Sequence, residues 1–196
     1  YKRQQINIDE QSELAQTIAG GIGRRDDQLL IDAFDASASY AGTVTTAIGG
    51  ADTNLNVAKL RRASRYLNDK GVPQAGRHII VSALNLEALL GETEATSSDY
   101  NTVKALVNGE INSFVGFRFH IIEDRSAFEG GLTVGAGDVR DGYAYHETAI
   151  GYANALMRTE VNYIPTKTSW LANGLLKAGS VVRNANGVVK VQMDET

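Results

Sequence analysis

The three histidines are the side chains in this sequence most able to bind a metal or to move a proton. They are His78, His120 and His146. Glu123 and Asp124 follow His120 closely. Imidazole and carboxylate groups both bind zinc, but the end of a strand would splay these side chains apart, and the spacing is unlike the HExxH pattern. His78 and His120 fall in predicted strands, where a lone histidine is typically a hydrogen-bonded structural residue. We therefore predict no metal site.

Motifs for nucleophilic catalysis and for phosphate binding are weak or absent. The sequence has no cysteine and no GxSxG, which removes thiol nucleophiles and the serine elbow. The run GGIGRR from Gly20 lacks the GK[ST] of a phosphate loop, and Asp26 occupies the place of the third glycine of a dinucleotide fingerprint. The Gly-rich residues 130–138 lack the strand-then-helix context of a phosphate cradle and predict a mobile loop. A dispersed Ser-His-Asp set stays open, but we predict no catalytic residue and no cofactor.

The charge of the chain argues against a surface that binds nucleic acid. Its 19 Lys and Arg and 23 Asp and Glu give a net charge of −4, and no run of basic residues exceeds two. A surface that neutralises phosphates needs clustered positive charge. Adjacent acids at 26–27, 123–124 and 194–195 are predicted to be solvated. No apolar run approaches the roughly 20 residues that span a bilayer, so no membrane partner is expected.

A long first helix is predicted over residues 9–36, with Asn7 or Asp9 as its cap. Its apolar residues recur at spacings of three and four, which places them on one stripe: Leu14, Ile18, Ile22, Leu29, Ala33 and Phe34. Glycines at positions 20, 21 and 23 interrupt the pattern, and each costs a helix about 1 kcal/mol relative to alanine. Two explanations are open: a kink or break, or the close approach of another backbone.

The middle of the chain mixes helices and strands. Asn54 is predicted to cap a helix over residues 55–70, which Gly71 ends. Phe117, Phe119 and Ile121 alternate with polar residues and predict a strand over 116–122 with these three on one face. Further strands are predicted at 43–48, 77–82 and 143–146, helices at 83–90 and 146–157, and loops at 92–99 and 126–141, while 103–107 is ambiguous.

The last fifth of the chain predicts β structure. Residues 159–164 alternate polar and apolar side chains, as a half-buried strand does. Asn186-Gly187 lies between two segments rich in valine, 180–183 and 188–191, and predicts a hairpin with a tight turn. Trp170, the only tryptophan, is expected to have an architectural role.

Four segments resemble, in their order along the chain, the major capsid proteins of tailed bacteriophages. VPQAGRHIIVS at 72–82 is similar to their proline, arginine, apolar strand and helix ending in Leu-Leu. TSSDYNTVKALVNGEINSFVGFRFHIIEDR at 96–125 resembles their T-S-S-D-Y, L-V-N-G and G-F order followed by a strand. AYHETAIGYA at 144–153 and EVNYIPTKTSWLANGLLKAGSVVRNANGVVKV at 160–191 are similar to their C-terminal portion. The predicted long helix fits the spine helix of the family.

The resemblance implies an α+β chain with the Hong Kong 97-like capsid fold. The peripheral domain, built from the long spine helix and strands, would comprise residues 1–50 and 156–196. The axial domain, a sheet flanked by helices, would comprise residues 51–155. Family members carry an N-terminal arm and an extended loop ahead of the spine helix. Because this sequence starts almost at that helix, we expect a truncated or partial chain.

The function that the resemblance implies is structural and not enzymatic. Copies would form pentamers and hexamers of an icosahedral head shell around a phage genome, without sequence-specific DNA binding. Scaffold and portal proteins are candidate partners, and the protein would be found in the virion and, during assembly, in the host cytoplasm. Residues 130–141 and the solvent face of the spine helix are the expected contact surfaces. The alternatives are a nanocompartment subunit of the same fold and a small α/β enzyme that uses Asp or His residues.

Overall fold

The computed structural model describes residues 10–92, 113–126, 131–167 and 169–196. The helices in these ranges are α1 (Glu10–Asp35), α2 (Val57–Asp69) and α3 (Ala83–Gly91). The strands are β1 (Gly42–Val44), β2 (Arg77–Ser82), β3 (Ser113–Phe114), β4 (Phe117–Ile122), β5 (Val139–His146), β6 (Ile150–Ile164), β7 (Ser169–Val182) and β8 (Val188–Asp194). The predicted caps Asn7 and Asp9, the segments 93–99 and 103–107, and residues 127–130 lie outside the described residues. No described helix has both the length and the apolar composition to cross a bilayer.

Six strands form one mixed sheet in the order β1-β8-β5-β2-β4-β3. The strand predicted at 77–82 is β2, and it lies inside the sheet between β5 and β4. Its almost complete burial explains its continuous apolar run. Helices α2 and α3 pack on one face of the sheet. The main core lies there and contains Val44, Leu55, Val57, Leu60, Ala63, Leu67, Ile79, Val81, Leu89, Phe114, Phe117, Phe119, Ala144, Val189, Val191 and Met193.

Helix α2 begins later than predicted, because Asn56 and not Asn54 is its N-cap. The Asn56 side chain accepts a hydrogen bond of 2.7 Å from the backbone N–H of Lys59. Asn54 instead accepts hydrogen bonds from the backbone N–H of Leu55 at 2.7 Å and from the side chain of Asn85 at 2.8 Å. Both asparagines suit a helix start, but Asn54 contacts α3 and Asn56 caps α2.

Two predicted strands are confirmed only in part. β1 has three residues where 43–48 was predicted. In β4, Phe117 and Phe119 are buried as expected, whereas Ile121 is 57% exposed. Ile121 lies beyond the short stretch of β4 that pairs with β3.

The opposite face of the sheet receives the C-terminal end of α1. Phe34 stacks on Tyr143 of β5, with ring centroids 5.2 Å apart. The buried Tyr143 hydroxyl donates to Asp35, and burial together with this carboxylate raises the pKa of Tyr143. Asp35 also accepts a hydrogen bond of 2.6 Å from Thr133. An aromatic stack and a pair of hydrogen bonds therefore fix the end of the long helix on the sheet.

β6 and β7 form a separate antiparallel sheet that lies along α1. The helix predicted at 146–157 is therefore wrong: this segment is the end of β5, a short 3-10 turn and the first half of β6. Its apolar residues fit helical spacing, but pairing with a distant strand outweighs that local preference.

The predicted hairpin about Asn186-Gly187 is also wrong. Residues 180–182 belong to β7 and pair with β6, whereas β8 pairs with β5 and β1 in the six-stranded sheet. Asn184 caps a short 3-10 turn, Ala185–Gly187, that carries the chain from one sheet to the other. A turn lies at the predicted place, but it is a 3-10 turn without positive φ at Asn186 or Gly187, and the two strands that it joins have different partners.

Helix α1 continues without a break through its three glycines. A Cβ added at Gly20 or Gly23 would meet no atom within 4 Å, so no close approach within the described chain explains them. β7 makes a close approach to α1 at a different glycine. A Cβ added at Gly174 would lie 2.7 Å from Ile18 Cγ2 and 2.8 Å from Ile22 Cδ1.

The acids at 194–195 are not solvated as predicted. Asp194 is buried, and Glu195 Oε1 accepts hydrogen bonds from Ser82 at 3.1 Å, Asn85 at 2.9 Å and Arg140 Nε at 2.7 Å. The C-terminal residues thus join a polar cluster that ties β8 to the start of α3. Nothing in the local sequence indicates this, because every partner is remote along the chain.

Lys59 provides a prediction for the pH dependence of stability. Its side chain is fully buried, and its amine donates to the carbonyl oxygens of Gln192, at 2.8 Å, and Thr53. Burial, only partly offset by Asp194, lowers the pKa of Lys59 to about 8. Between this value and the ordinary lysine value of about 10.4 the unfolded chain binds more protons, so stability rises with pH in this window. Urea unfolding at several pH values should show that rise, and Lys59→Met should lose it. An equal slope in both proteins would contradict the assignment.

Candidate assembly surface

The exposed apolar side chains of this protein are concentrated on the β6–β7 sheet. Of the ten large hydrophobic residues that are exposed in the described chain, seven lie in these two strands. They are Tyr152, Leu156, Met157, Tyr163, Leu171, Leu175 and Val181. Isolated exposed apolar residues are ordinary, but a contiguous group marks an interaction surface.

A β-bulge determines which face of this sheet each residue occupies. Paired residues share a face, and Gly174, which contacts α1, pairs with Thr159. The register shifts between Asn154 and Leu156, so the residues of β6 exchange faces at Ala155. The face turned away from α1, called the outer face below, therefore carries Leu156, Leu171, Leu175 and Val181.

The outer face is apolar with charged residues between its leucines. Leu156 pairs with Lys177, and Arg158 pairs with Leu175. Arg158 also forms an ion pair with Glu160. Interfaces between proteins contain both apolar and polar residues. The outer face also contains both, with its charged residues directly beside the leucines.

The two strands also have free edges. Within the described residues, β6 and β7 pair only with each other over their lengths of 15 and 14 residues. An unpaired edge presents a row of N–H and C=O groups that another chain can pair with. An apolar face and open edges on one long sheet are both suited to contact with further protein.

The inner face of the sheet is anchored to α1 by polar contacts. Tyr152 donates to both carboxylate oxygens of Asp26, at 2.6 and 2.7 Å, and Ser180 donates to the carbonyl of Leu29. The hydrogen bond to the Asp26 carboxylate is the main reason that the pKa of Tyr152 is raised. These contacts fix the orientation of the sheet on the helix and so of its outer face.

The residues considered above as possible metal ligands, and not predicted to form a site, do not come together. Glu123 pairs with Arg125, and Asp124 with Arg140. In the described chain no group of three His, Asp or Glu side chains is arranged to hold a metal ion. His146 lies apart, with its ring nitrogens 2.9 Å from the carbonyl of Ala75 and 2.8 Å from the Thr148 hydroxyl.

His78 and His120, in contrast, are in direct contact. The Nδ1 atom of His78 lies 2.8 Å from Nε2 of His120. Sequence reasoning missed this pair because the two residues are 42 positions apart, and only the parallel pairing of β2 with β4 brings them together. Only a prediction that β2 pairs with β4 could have indicated this contact from the sequence.

The two contact surfaces expected from the resemblance are only partly described. Of residues 130–141, Leu132 is buried, 134–138 are exposed, and β5 begins at Val139. The solvent side of α1 is polar and includes Arg24, Arg25 and Asp32. Neither surface has the apolar character of the outer face of β6–β7.

Comparisons with known proteins agree on one class of protein. A family model described as phage capsid protein matches residues 2–195. The head of Helicobacter pylori bacteriophage KHP40 is similar in structure, with a TM-score of 0.60, 10% identity, and coverage of 88% of this chain and 65% of that one. The capsid of Cyanophage P-SCSP1u gives a TM-score of 0.54, 14% identity, and coverage of 94% and 65%. A structure from Mycobacterium phage Che8 gives 0.51, 22% identity, and coverage of 71% and 53%.

These likenesses show a shared fold. No curated protein matches the chain. The chain spans 53% to 65% of the length of the three solved chains. The α+β architecture is consistent with the Hong Kong 97-like fold, as the resemblance of the sequence implied. Since the family model matches nearly all of its length, this chain belongs to the phage capsid protein family.

Proposed function

We propose that this chain forms the folded body of a major capsid protein, whose copies assemble with one another into the shell of a phage head. The observation that carries the proposal is the family match over residues 2–195. The apolar outer face of β6–β7 supports it, since shell subunits need surfaces that are buried only after association.

We propose a division into domains that follows the two sheets. The peripheral domain would contain α1, β6 and β7, and the axial domain the six-stranded sheet with α2 and α3. This differs from the division expected at residues 50 and 155, because β6 continues from Ile150 to Ile164 and β8 lies in the sheet with β5. Each unit would then contain one sheet, and α1, whose C-terminal end packs on the six-stranded sheet, would connect the two units.

In the proposed shell, apolar burial on the outer face supplies the favourable free energy of association. Each Å² of apolar surface removed from water contributes about 25 cal/mol. Part of this gain offsets the lost freedom of the subunits. In the proposed shell, each contact joins two different patches on neighbouring copies. Such contacts form closed rings, and rings of five and six copies are the pentamers and hexamers.

The remaining partners follow from the same proposal. The protein would act in the virion and be present in the host cytoplasm during assembly, with scaffold and portal proteins as further partners. DNA would be enclosed without sequence-specific contacts, which agrees with the net charge of −4. The role is structural, and it includes no catalytic step.

Assembly of the purified chain tests the proposal. Sedimentation velocity over a wide concentration range should show association, and electron microscopy should show rings or closed shells. A chain that stays monomeric at the highest concentration would count against self-assembly through the described surfaces. Nucleic acid inside particles from the natural source would favour a phage head, and a protein cargo would favour a nanocompartment.

A further inference from the structure

His78 of β2 and His120 of β4 meet on one face of the six-stranded sheet. In addition to the 2.8 Å contact between Nδ1 and Nε2, the two rings stack with centroids 5.0 Å apart. Tyr145 of β5 stacks on His78 at 5.5 Å. The histidine pair thus joins two strands directly and contacts a third.

The number of protons on this pair determines whether the contact can exist. A hydrogen bond between two imidazoles needs one N–H group and one nitrogen lone pair. A neutral pair and a pair with one extra proton both provide them. When both rings are protonated, two N–H groups and two positive charges face each other, so the hydrogen bond is lost and repulsion replaces it.

The surroundings make the second protonation harder still. Arg118 lies on β4, His146 on β5 and Glu147 in the following turn, and these are the charged or titratable groups that act on the pair. His78 is half-buried and His120 is partly exposed, and the partial loss of water around each ring is the main cause that lowers the pKa of both histidines. Arg118 lowers both pKa values further. Only Glu147 acts in the opposite direction, on His78. A cavity of about 400 Å³ beside His78, lined also by Arg118 and Glu147, gives water and protons access.

We propose that His78 and His120 form an acid-sensitive clamp that holds β4, and with it the edge strand β3, against β2. Near neutral pH the shared hydrogen bond closes the clamp. Acidification charges both rings and opens it. β3 pairs only with β4 in the described sheet, and β4 is also held by its backbone pairing with β2 over 78–82 and 118–122. Acidification therefore weakens the edge formed by β4 and β3 without detaching it.

The sign of the expected pH effect follows from proton binding. Because burial and Arg118 lower both pKa values, the unfolded chain binds more protons than the folded chain below about pH 6.5. The stabilisation that the pair contributes is therefore fully present above this pH, and it is lost as the pH falls through the folded pKa values of the two histidines. The effect concerns the folding of one chain, so its test does not depend on shell assembly.

A double-mutant cycle with His78→Ala, His120→Ala and the double variant tests the clamp. The free energy of unfolding is measured by urea at about pH 7.5 and about pH 4.5, on either side of the ordinary histidine pKa. At the higher pH we expect the interaction between the two histidines to increase the equilibrium constant for folding about three- to tenfold. At the lower pH the coupling should vanish or reverse. Equal coupling at both pH values would overturn the proposal.

A titration of the unchanged chain gives a second test that needs no variant. NMR of the imidazole carbons should show His78 and His120 titrating together in two steps, more than about one pKa unit apart. Two independent single-step curves for His78 and His120 would show that they do not share a proton, and the clamp would be refuted.

Discussion

Leu175→Asp is expected to abolish assembly of the chain while leaving its fold intact. Leu175 is 50% exposed on the outer face, on the same strand as Leu171 and Val181. Burying a carboxylate in an apolar contact costs several kcal/mol, and an ion pair with Arg158 on the opposite strand would offset only part of this cost. Substitution of an exposed residue, in contrast, usually changes folding stability by about 0.5 kcal/mol or less. Sedimentation velocity and electron microscopy measure assembly, and thermal unfolding measures the fold.

Leu84→Asp is the matched control for this experiment. Leu84 lies on α3 and is 47% exposed, so the change in charge and the degree of exposure are nearly the same. It lies off the outer face, and the variant should assemble like the unchanged protein. Normal assembly of Leu175→Asp would rule out the outer face as a contact surface. Failure of both variants would indicate a general effect of added negative charge.

Gly174→Val should destabilise the folded chain by about 1–3 kcal/mol, the usual cost of overpacking a close contact. The new Cβ would lie 2.7 Å from Ile18 Cγ2 and 2.8 Å from Ile22 Cδ1. Ile22 Cδ1 can rotate away, but Ile18 Cγ2 is attached at the branch point and is held by the helix backbone. Either β7 or α1 must then shift. Urea unfolding of the unassembled chain measures the loss of stability.

Gly179→Val provides the comparison on the same strand. A Cβ at this position would meet no atom within 4 Å, so valine should be neutral or slightly stabilising there. In an Ile18→Ala background the loss caused by Gly174→Val should be smaller, because the clashing methyl group is absent, and a double-mutant cycle measures this difference. Equal stability of the two glycine variants would show that β7 does not approach α1 as closely as described.

Local patterns in the sequence were sufficient where an element depends on its own residues. The long helix, the buried strand at 77–82 and the short helix after it were predicted nearly to their ends, since apolar spacing and glycine at a helix end act within a few residues. The prediction of a helix at 146–157 was wrong because it, too, used only local spacing. Ile150, Ala153 and Met157 fit helical spacing, but their partners on β7 decide the structure, and these lie 19 to 32 residues further along.

The candidate surface could be predicted only in part. The composition of β6 and β7 shows that they contain apolar residues, but the bulge at Ala155 decides which of these share a face. The pairing of β8 with β5, the contact of Gly174 with α1 and the burial of Glu195 also depend on segments far apart in the chain. No window of sequence contains both members of such a contact.

The sequence by itself determined the α+β composition, most of the helices, the absence of a recognisable catalytic motif, and the resemblance that the family match confirmed. These follow from residue types and from spacings shorter than one element. The tertiary structure decided which strands share a sheet, which leucines lie on the outer face, and that His78 meets His120. Sheet pairing is non-local, and its register places every side chain on one face or the other. Assembly surface and histidine clamp therefore arise only when the chain is folded.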